Sequence, residues 1–486
     1  MKIKFLTIGL FAATLAAVTF TSCTKTKEVE KIVYVDKYID TSIKYETLTG
    51  SIATQTLDAT KRYLIKGTAS VDDGATLTIP AGTKLFGEKS TKGLLIVKKG
   101  GKLIANGTAS NPIVFTSNQG KGEREQGDWA GLVILGKANV NQNNPAIEGV
   151  TPAVNYGTFQ STANDADNSG SLQYVRIEFA GIALTPNNET NSLTLGAVGS
   201  GTTIDYVQVT YGGDDGFEWF GGTVNAKHLV SMASWDDDFD ADFGFSGKVQ
   251  FAVSIRDPFN ADQSGSNGFE SDNDATGSIS TPKTSAVFSN VTMLGASFDS
   301  AKSISGNYQH ALHLRRNTEL SIFNSVFGGF PLGLNLDGTL ANYTGGLGVL
   351  DNNILVSIGN NKKAARPFLA GSVDAPATVG AYFLTTKNNK VFTSGTLSGT
   401  AASAYAAAGI DPSLIMGYNT TAGVTGNYPK NPIFTSFTGL TQTGAAFTDA
   451  KVSGSFFTAT TYKGAFGGST DWTDGWANFN VQNESY

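Results

Sequence analysis

The chain lacks the features that most often stabilise or anchor an extracellular or membrane protein. It contains one cysteine among 486 residues, which excludes intramolecular disulfides. No apolar run reaches the roughly 20 residues of a membrane-spanning helix, since the longest stretch, residues 5–20, is shorter. Charged residues make up 16% of the chain, the net charge is −6 and the lysines are dispersed, which argues against nucleic acid as a partner.

The single cysteine, Cys23, follows a secretory signal pattern in residues 1–22, with lysines first, then an apolar stretch and small residues. Residues 20–23 resemble a bacterial lipobox, which implies that Cys23 is the lipidated first residue of the mature protein. The alternative is an ordinary signal peptide with a cysteine nearby by chance. The Lys-rich, acid-containing residues 25–31 resemble the surface-export signal of Bacteroidota lipoproteins. We therefore expect a protein anchored to the outer membrane by lipid and exposed at the cell surface, with residues 23–48 as a tether.

Glycine is abundant, with 57 residues, and Thr, Ser, Asn and Val are frequent, which favours short strands and tight turns. Loosely repeated segments begin near residue 50. Leu85 and Leu103 occupy similar segments 18 residues apart, and Tyr174 and Tyr206 open another similar pair. Repeats of this kind predict an all-β solenoid, a parallel β-helix over residues 49–395, with about 12 coils spaced ~4.8 Å apart. Two antiparallel β-sandwiches are the alternative.

Residues 396–486 are less regular and predict a capping region with short helices. The Ala-rich residues 401–409 predict one helix, and Asp411 followed by proline predicts the start of a second. Aromatic residues cluster over residues 464–479. Since solenoids protect their last open edge, we expect this region to pack on the outside or to close the end.

The strongest chemical signal is a repeat of acidic residues. Residues 213–218 and 235–240 align 22 residues apart, and a third, partial copy contains Glu270. In stacked coils the aligned carboxylates are neighbours and repel one another, so bound cations, raised pKa values or interleaved Lys and Arg must compensate. Such a density of oxygen ligands suits Ca²⁺. The predicted metal ligands are Asp214, Asp215, Glu218, Asp236, Asp237, Asp238, Asp240, Asp242 and Glu270.

Two further patterns bear on this metal prediction. The four aspartates at even positions from Asp236 to Asp242 would share one side of an extended segment. Residues 165–170, 260–265 and 272–277 each resemble the opening of a calcium loop, but none has an acidic residue at the twelfth position. Each of these three segments also fits a plain polar turn.

A second cluster contains His310, His313, Arg315 and Arg316. If these side chains reach the acidic residues, His313, Arg315 or Arg316 could supply an acid, a base or an anion clamp, with Asp214 and Asp215 as further catalytic candidates. The alternative is that the arginines neutralise the acidic column as structural salt bridges. The pair at residues 227–228, Lys then His, is a weaker candidate of the same kind. Aromatic residues beside the acids could stack on sugars or fill the core; they are Trp219, Phe220 and Trp235.

Residues 127–138, 209–245, 313–318 and 471–479 together resemble a group of Bacteroidota exported lipoproteins with a right-handed parallel β-helix, the pectin-lyase-like superfold. The resemblance implies architecture and location and assigns no catalytic residue, because the group has no established activity. The same superfold hosts Ca²⁺-dependent polysaccharide lyases and acid-pair glycoside hydrolases. The neighbouring Asp214 and Asp215 resemble the paired carboxylates of polygalacturonase-like hydrolases, but the companion His-Gly and Arg-x-Lys motifs are missing after them.

Two functions follow as hypotheses. The first is a lipid-anchored, Ca²⁺-stabilised binding or structural module for a polysaccharide or an outer-membrane protein. The second is a polysaccharide lyase or glycoside hydrolase, in which Ca²⁺ neutralises a uronate and His313, Arg315 or Arg316 abstracts a proton. The lyase requires a base on the same side of the coils as Asp237 and Asp240. The binding module predicts acids that are buried or paired.

Overall fold

The computed structural model describes residues 44–185, 188–297, 304–359, 363–371, 374–385, 387–394, 400–411 and 432–486. Cys23, the predicted signal peptide and most of the predicted tether lie outside these ranges. The described residues belong to one compact unit, Lys44–Tyr486. Among its helices, none has both the length and the apolar character needed to cross a membrane.

The described part of the chain is a parallel β-helix, as predicted, and about 9% of it is helical. Short runs of β-branched and aromatic residues between glycine and asparagine turns form its strands. In chain order the strands are β1 (Tyr45–Ile52), β2 (Gln55–Thr56), β3 (Arg62–Val71), β4 (Thr76–Pro80), β5 (Lys84–Gly87), β6 (Leu94–Val97), β7 (Lys102–Asn106), β8 (Ile113–Ser117), β9 (Gly131–Leu135), β10 (Asn139–Val140), β11 (Thr158–Phe159), β12 (Gly170–Glu178), β13 (Ile182–Thr185), β14 (Asn188–Thr190), β15 (Leu193–Gly196), β16 (Thr203–Thr210), β17 (Phe217–Phe220), β18 (Asn225–Met232), β19 (Phe239–Asp242), β20 (Lys248–Ile255), β21 (Phe269–Ser271), β22 (Val287–Leu294), β23 (His310–Arg315), β24 (Ser321–Phe323), β25 (Val326–Phe330), β26 (Leu332–Asp337), β27 (Leu350–Asp351), β28 (Ile354–Ile358), β29 (Arg366–Ala370) and β30 (Lys390–Ser394). The α-helices are α1 (Leu340–Thr344), α2 (Pro376–Thr385) and α3 (Thr400–Ala408), and short 3₁₀ turns lie at Lys89–Thr91, Thr162–Asn164, Phe434–Ser436, Gly439–Gln442 and Val481–Asn483.

Parallel pairing between successive coils stacks 26 of these strands into three sheets, while β10 pairs with β11 in parallel and β13 with β14 in antiparallel orientation as two separate two-stranded sheets. Sheet 1 follows β1, β3, β6, β9, β15, β17, β19, β21, β23, β26 and β29. Sheet 2 follows β1, β3, β5, β8, β12, β16, β18, β20, β22, β25, β28 and β30. Sheet 3 follows β2, β4, β7, β12, β16, β18, β20, β22, β24 and β27. The long strands bend at a corner and contribute to two sheets.

The interior is filled by columns of apolar side chains from successive coils. In sheet 1, Phe217 pairs with Phe239 and Phe239 with Phe269, and the column continues through Leu312. These four side chains are fully buried. Because side chains alternate along a strand, the residues between them point outward, and this places Asp240 on the outer side of the sheet.

The 22-residue repeat predicts the register of the acidic coils correctly, and the 18-residue repeat near the start of the solenoid does not. Leu103 pairs with Leu77 in sheet 3, whereas Leu85 pairs with Phe115 in sheet 2. The segments of Leu85 and Leu103 resemble each other because each strand follows a glycine turn, at Gly82 and at residues 100–101. Similar glycine turns therefore occur at two different corners of a coil. Two segments that follow such turns resemble each other in sequence although they do not stack on each other.

The corner between sheets 3 and 2 carries a column of residues with positive φ. The predicted pair Tyr174 and Tyr206 lies there, with ring centroids 4.3 Å apart, and the stack continues through His228 to Phe251. Later coils place asparagine at this corner, and Asn tolerates the left-handed conformation better than most residues; these are Asn290, Asn324 and Asn352. Stacking between coils stabilises the strained aromatic positions.

Different segments cover the end and the flank of the solenoid. Helix α2 places Val379, Tyr382 and Phe383 in the interior cluster, so it closes the last coils. The Ala-rich segment forms α3, as predicted, and its Tyr405 packs on the outer side of sheet 2. The second predicted helix start, after Asp411, lies outside the described residues.

Residues 444–486, here called the C-terminal strap, run back along the outside of the coils. Side-chain amides of separate coils bind its backbone, each through two hydrogen bonds: Asn324 with Ala446, Gln250 with Thr458 and Gln208 with Asn478. Its aromatic residues, including Trp472 and Trp476, pack against the stacked corner. Of the two placements expected for the C-terminal region, the strap adopts the outside one.

Candidate functional site

The predicted acidic column lies on the outer side of sheet 1. Glu218 pairs with Asp240, Asp240 with Glu270, and Glu270 with His313, so one outward ladder crosses four consecutive coils. Parallel strands in register place equivalent side chains of neighbouring coils about 4.8 Å apart. The ladder therefore places three carboxylates next to one another and ends on a histidine.

Two groups of carboxylates in this region have the geometry of a cation site. Asp214, Asp215 and Asp236 form the first triad, and Asp215, Glu218 and Asp240 form the second. In each triad one oxygen per residue lies within 4.8 Å of the others. Asp215 belongs to both triads, so the two potential cation positions are adjacent.

The loops that carry the first triad are packed closely at the entrance to sheet 1. Residues 212–216 connect β16 to β17, and residues 233–238 connect β18 to β19. A Cβ atom on Gly213 would lie 1.9 Å from the carbonyl oxygen of Gly181, so only glycine fits there. Gly213, directly before the acids, thus allows the loop to approach the coil beneath it.

Some of the carboxylates have backbone or amide partners and others do not. Asp215 Oδ1 accepts a hydrogen bond from the Asp237 amide at 2.7 Å, and the Asn191 side chain donates to Glu218. In contrast, the Oδ1 atoms of Asp236 and Asp240 are buried without a hydrogen-bond partner among the described residues. An unpaired buried carboxylate oxygen is costly, so these two atoms indicate a missing cationic or donor partner.

Burial and like charge make these carboxylates hard to ionise. Burial raises the pKa of Asp236 to about 7, and the nearby Glu270 and Asp262 contribute to that rise. Burial first, and then neighbouring carboxylates, raise the pKa values of several others well above the usual range; these are Asp214, Asp215, Glu218, Asp237 and Asp240. A bound cation would reverse this effect by stabilising the ionised forms.

A cavity of about 550 Å³ opens over the first triad. Seven carboxylates line it, and no lysine, arginine or histidine belongs to its lining within the described ranges. Three of these acids come from outside the acidic repeat: Glu148 from the insertion between β10 and β11, Glu189 from β14, and Asp262 from the loop before β21. The sequence analysis missed Glu148 and Glu189, because no repeat or spacing connects them to the column.

The aromatic residues beside the acids have different roles. Trp219 is fully buried in the interior and Phe220 packs in a second buried cluster, so both are core residues. Trp235 is 39% exposed and lines the cavity next to Asp236. Of these three aromatic residues, only Trp235 is therefore available to stack on a ligand.

The expected alternation from Asp236 to Asp242 holds for part of the segment only. Strand β19 begins at Phe239, and Asp240 and Asp242 lie on its outer side. Asp238 is in the preceding bend and points elsewhere: Ser231 and Ser254 donate to its carboxylate, and Arg256 lies 3.4 Å away. The prediction that Asp238 shares a face with the other three is wrong because the chain is not extended there.

The basic cluster does reach the acidic ladder. His313 Nδ1 lies 3.3 Å from Glu270 Oε2, and Arg315 contacts both Glu270 and Asp272. Arg316 binds the second oxygen of Asp272 at 2.6 Å. His313 and Arg315 thus lie on the same side of the coils as Asp240. Arg315 and Arg316 both form ion pairs, which is the arrangement expected if the arginines neutralise the acidic column as structural salt bridges.

The remaining candidate residues make contacts that stabilise turns or the stacking of coils. Asp274 accepts hydrogen bonds from Thr276 and Ser278, and Asp262 from Ser264, which are the contacts of polar turns. His228 is stacked in the corner column and hydrogen-bonded to Asp205, beneath the C-terminal strap. The site at residues 227–228 is therefore separate from the acidic ladder.

Comparison with known protein families agrees with this architecture. A family described as pectate-lyase like beta helix domain matches residues 49–406, which is most of the chain. Neither the curated proteins nor the solved structures include a match to the sequence.

Proposed function

The chain belongs to the pectate-lyase-like β-helix family, and from this premise we propose that it is a cell-surface binding module. In this proposal Cys23 anchors it to the outer membrane through lipid, Ca²⁺ occupies the acidic triads, and the cavity above them receives a glycan or a partner protein. Membership of the family accounts for the β-helix, and the argument for binding rests on the geometry of the acidic triads and the cavity.

The observation that carries the proposal is the pair of buried, unpartnered oxygens, Asp236 Oδ1 and Asp240 Oδ1, one in each carboxylate triad. Calcium takes six to eight oxygen ligands, mostly from carboxylates, carbonyls and water, so the donor set fits this ion. Bound Ca²⁺ would offset the repulsion among the acids and hold the loops at residues 212–216 and 233–238 in place.

The contacts around the acids favour binding over catalysis. The cavity has no basic side chain among the residues that line it in the described ranges. The candidate base Arg315 is held between Glu270 and Asp272, and its guanidinium pKa is raised by Glu270 and Asp272 despite its burial. An arginine held in this way is poorly suited to abstract a proton.

A lyase or hydrolase is the second candidate, because His313 and Arg315 lie on the same side of the coils as Asp240. Its test is incubation with polygalacturonate and Ca²⁺, monitored by absorbance of an unsaturated product and by release of reducing ends. We expect neither signal. Activity that disappears in Arg315→Met and His313→Ala would replace the binding proposal with the enzymatic one.

The metal is tested by thermal melting with Ca²⁺ and with a chelator. At a Ca²⁺ concentration of 100 times Kd, binding contributes about 2.7 kcal/mol, or a rise in Tm of about 3 °C for a unit of this size. Asp215→Asn, which alters both triads, should abolish the rise. Asp274→Asn, in a polar turn, is the matched control and should retain it. No Ca²⁺-dependent rise in the wild type, or its loss in Asp274→Asn alone, contradicts the site.

The anchor is tested in cells that export the protein. Wild-type chain should incorporate a labelled fatty acid and fractionate with the outer membrane, whereas Cys23→Ser should do neither. Ser22→Ala, which keeps a small residue before the cysteine, is the control. Membrane association of Cys23→Ser equal to that of the wild type would contradict a lipid anchor.

A further inference from the structure

The end of the C-terminal strap covers a carboxylate that has no access to water. Glu178 ends strand β12 on the outer side of sheet 2 and is fully buried. The Tyr486 hydroxyl donates to Glu178 and lies 2.5 and 2.7 Å from its two carboxylate oxygens. We propose that strap residues 476–486, here called the latch, form a pH-sensitive device that closes over Glu178 and opens as the pH rises. This role is independent of the proposed binding function.

The latch has its own attachments to the solenoid. Gln208 makes two hydrogen bonds with the backbone of Asn478, and Arg124 donates to two carbonyl oxygens of the latch. Side chains of later coils bind the rest of the strap separately, as Asn290 does at residues 460–464. The latch can therefore open while the remainder of the strap stays bound to its coils.

The side chains around this contact are mainly cations from several coils. Arg176 Nε lies 3.4 Å from a Glu178 oxygen, and the Arg124 guanidinium lies 4.8 Å from the centre of the Tyr486 ring. The cations that approach Glu178 or Tyr486 are Arg62 on β3, Lys84 on β5, Arg124 on the loop after β8 and Arg176 on β12. Arginine and lysine keep their charge across the neutral range.

The other neighbours of Glu178 differ from it in charge or in burial. Thr210, its partner on the next coil, is uncharged. Glu484 of the latch is a second carboxylate, but it is only half-buried and accepts a hydrogen bond from the Asn478 side chain. Glu178 is therefore the group whose ionisation we expect to depend on the position of the latch.

Burial makes Glu178 hard to ionise while the latch is closed. Burial raises its pKa above the ordinary value of 4.5, and Arg176 and the Tyr486 hydroxyl offset part of that rise. When the latch opens, water reaches the carboxylate and the pKa returns toward its ordinary value. The closed state thus binds more protons than the open state, so the closed latch is favoured at low pH and loses stability as the pH rises. Burial also raises the pKa of the Tyr486 phenol, which therefore remains a donor.

Opening of the latch would uncover aromatic surface. Trp476 contacts Tyr174 and Tyr206 edge-on, with ring centroids 6.0 and 5.8 Å apart. These two tyrosines begin the stacked column at the corner between sheets 3 and 2. His228 lies in the same column and is hydrogen-bonded to Asp205, so it is a second titratable group whose effect must be separated from that of Glu178.

Hydrogen–deuterium exchange read by mass spectrometry measures the opening of the latch in the mature chain with Ca²⁺ present. Exchange in residues 476–486 is followed between about pH 5 and pH 8 and divided by the intrinsic rate at each pH. We expect protection of the latch to fall about fivefold or more over this range, because one proton is released on opening. Residues 444–464 of the strap are the internal reference. A latch whose protection changes no more than that of the reference overturns the proposal.

Matched variants assign the pH dependence to Glu178. Glu178→Gln keeps an acceptor for the Tyr486 hydroxyl without the charge, so its latch should lose the fall with pH and be better protected than the wild type at the upper end of the range. Glu484→Gln and His228→Gln are the controls and should keep the fall. Persistence of the fall in Glu178→Gln, or its loss in either control, overturns the proposal.

A variant of the latch itself tests the contact without changing the carboxylate. Tyr486→Phe removes the hydroxyl that donates to Glu178, so it should lower the protection of residues 476–486 at every pH. It leaves Glu178 ionisable, so the fall with pH should persist. Protection equal to that of the wild type would show that this contact does not close the latch and would overturn the proposal.

Discussion

On the outer side of sheet 1, Glu218 and Asp240 lie one coil apart and form no ion pair among the described residues, whereas the next carboxylate in the ladder, Glu270, contacts Arg315 and His313. The two regions share strand register and outward orientation. They differ in where the compensating charge comes from. Glu270 forms ion pairs with side chains of the following coil, whereas Glu218 and Asp240 form none among the described residues, and Arg315 acts on Asp240 only through its charge.

This difference shows that a ladder of like charges does not by itself indicate a binding site. Where arginine is within reach, stacked acids become an internal ion-pair network, and the repulsion is offset at the cost of desolvation. Where no side-chain cation forms an ion pair with the acids among the described residues, the same stacking leaves raised pKa values and unpartnered oxygens at Asp236 and Asp240, although Arg256 and Arg315 offset part of that rise. Only the second region is therefore incomplete without a ligand.

The largest expected effect comes from removing the internal cation. Arg315→Met should lower the free energy of unfolding by about 2–3 kcal/mol, because Glu270 and the buried Asp272 would lose their main ion-pair partner. Urea denaturation measures this loss, and Arg315→Lys, which keeps the charge, should lose less. An Arg315→Met protein as stable as the wild type would contradict the view that Arg315 compensates the charge of Glu270 and Asp272.

The pH dependence of stability is the next largest effect. The pKa of Asp236 is about 7 in the folded chain and near 3.8 when unfolded, so the folded state binds more protons between these values. Stability in chelator should therefore fall as pH rises from about 5 to 7.5, by about 2–3 kcal/mol in total. Ca²⁺ should flatten the curve. Denaturation midpoints measured across this pH range test the direction of the change. An increase in stability with pH in chelator would contradict the prediction.

Replacing one acid of the uncompensated region should stabilise the metal-free protein. Glu218→Gln removes a buried, hard-to-ionise group next to Asp215 and Asp240, and it should raise stability in chelator at pH 8 by about 1 kcal/mol. The same variant should lose part of the Ca²⁺-induced rise in Tm. Equal loss of stability with and without Ca²⁺ would show that Glu218 is needed for packing instead.

The smallest effect is expected at the edge of the compensated region. Arg316 is 44% exposed on its side chain and shares Asp272 with Arg315, so Arg316→Ala should cost less than about 1 kcal/mol. Comparison with Arg315→Met under identical conditions measures how much the burial of an arginine adds to its contribution to the free energy of unfolding. A loss equal to that of Arg315→Met would indicate that both arginines act as one unit.

The sequence alone determined the β-helix and the register of the acidic coils. A solenoid makes residues one repeat apart into spatial neighbours, so the 22-residue spacing of Phe217 and Phe239 translated directly into a stacked pair. The same reasoning failed for Leu85 and Leu103, because similar glycine turns occur at different corners of a coil. A sequence repeat thus predicts the register of the coils where both the turn and the strand recur. It gives the wrong register where only the turn recurs.

Only the tertiary structure decided which acids form a site. Asp238 left the predicted face because a bend turned it toward Arg256, and Arg315 reached Glu270 from the following coil. Glu148 and Glu189 reached the cavity from insertions whose paths no local pattern specifies. Repeated coils are set by short-range periodicity, but the neutralisation of a charge depends on every side chain within a few ångströms, including those distant in sequence.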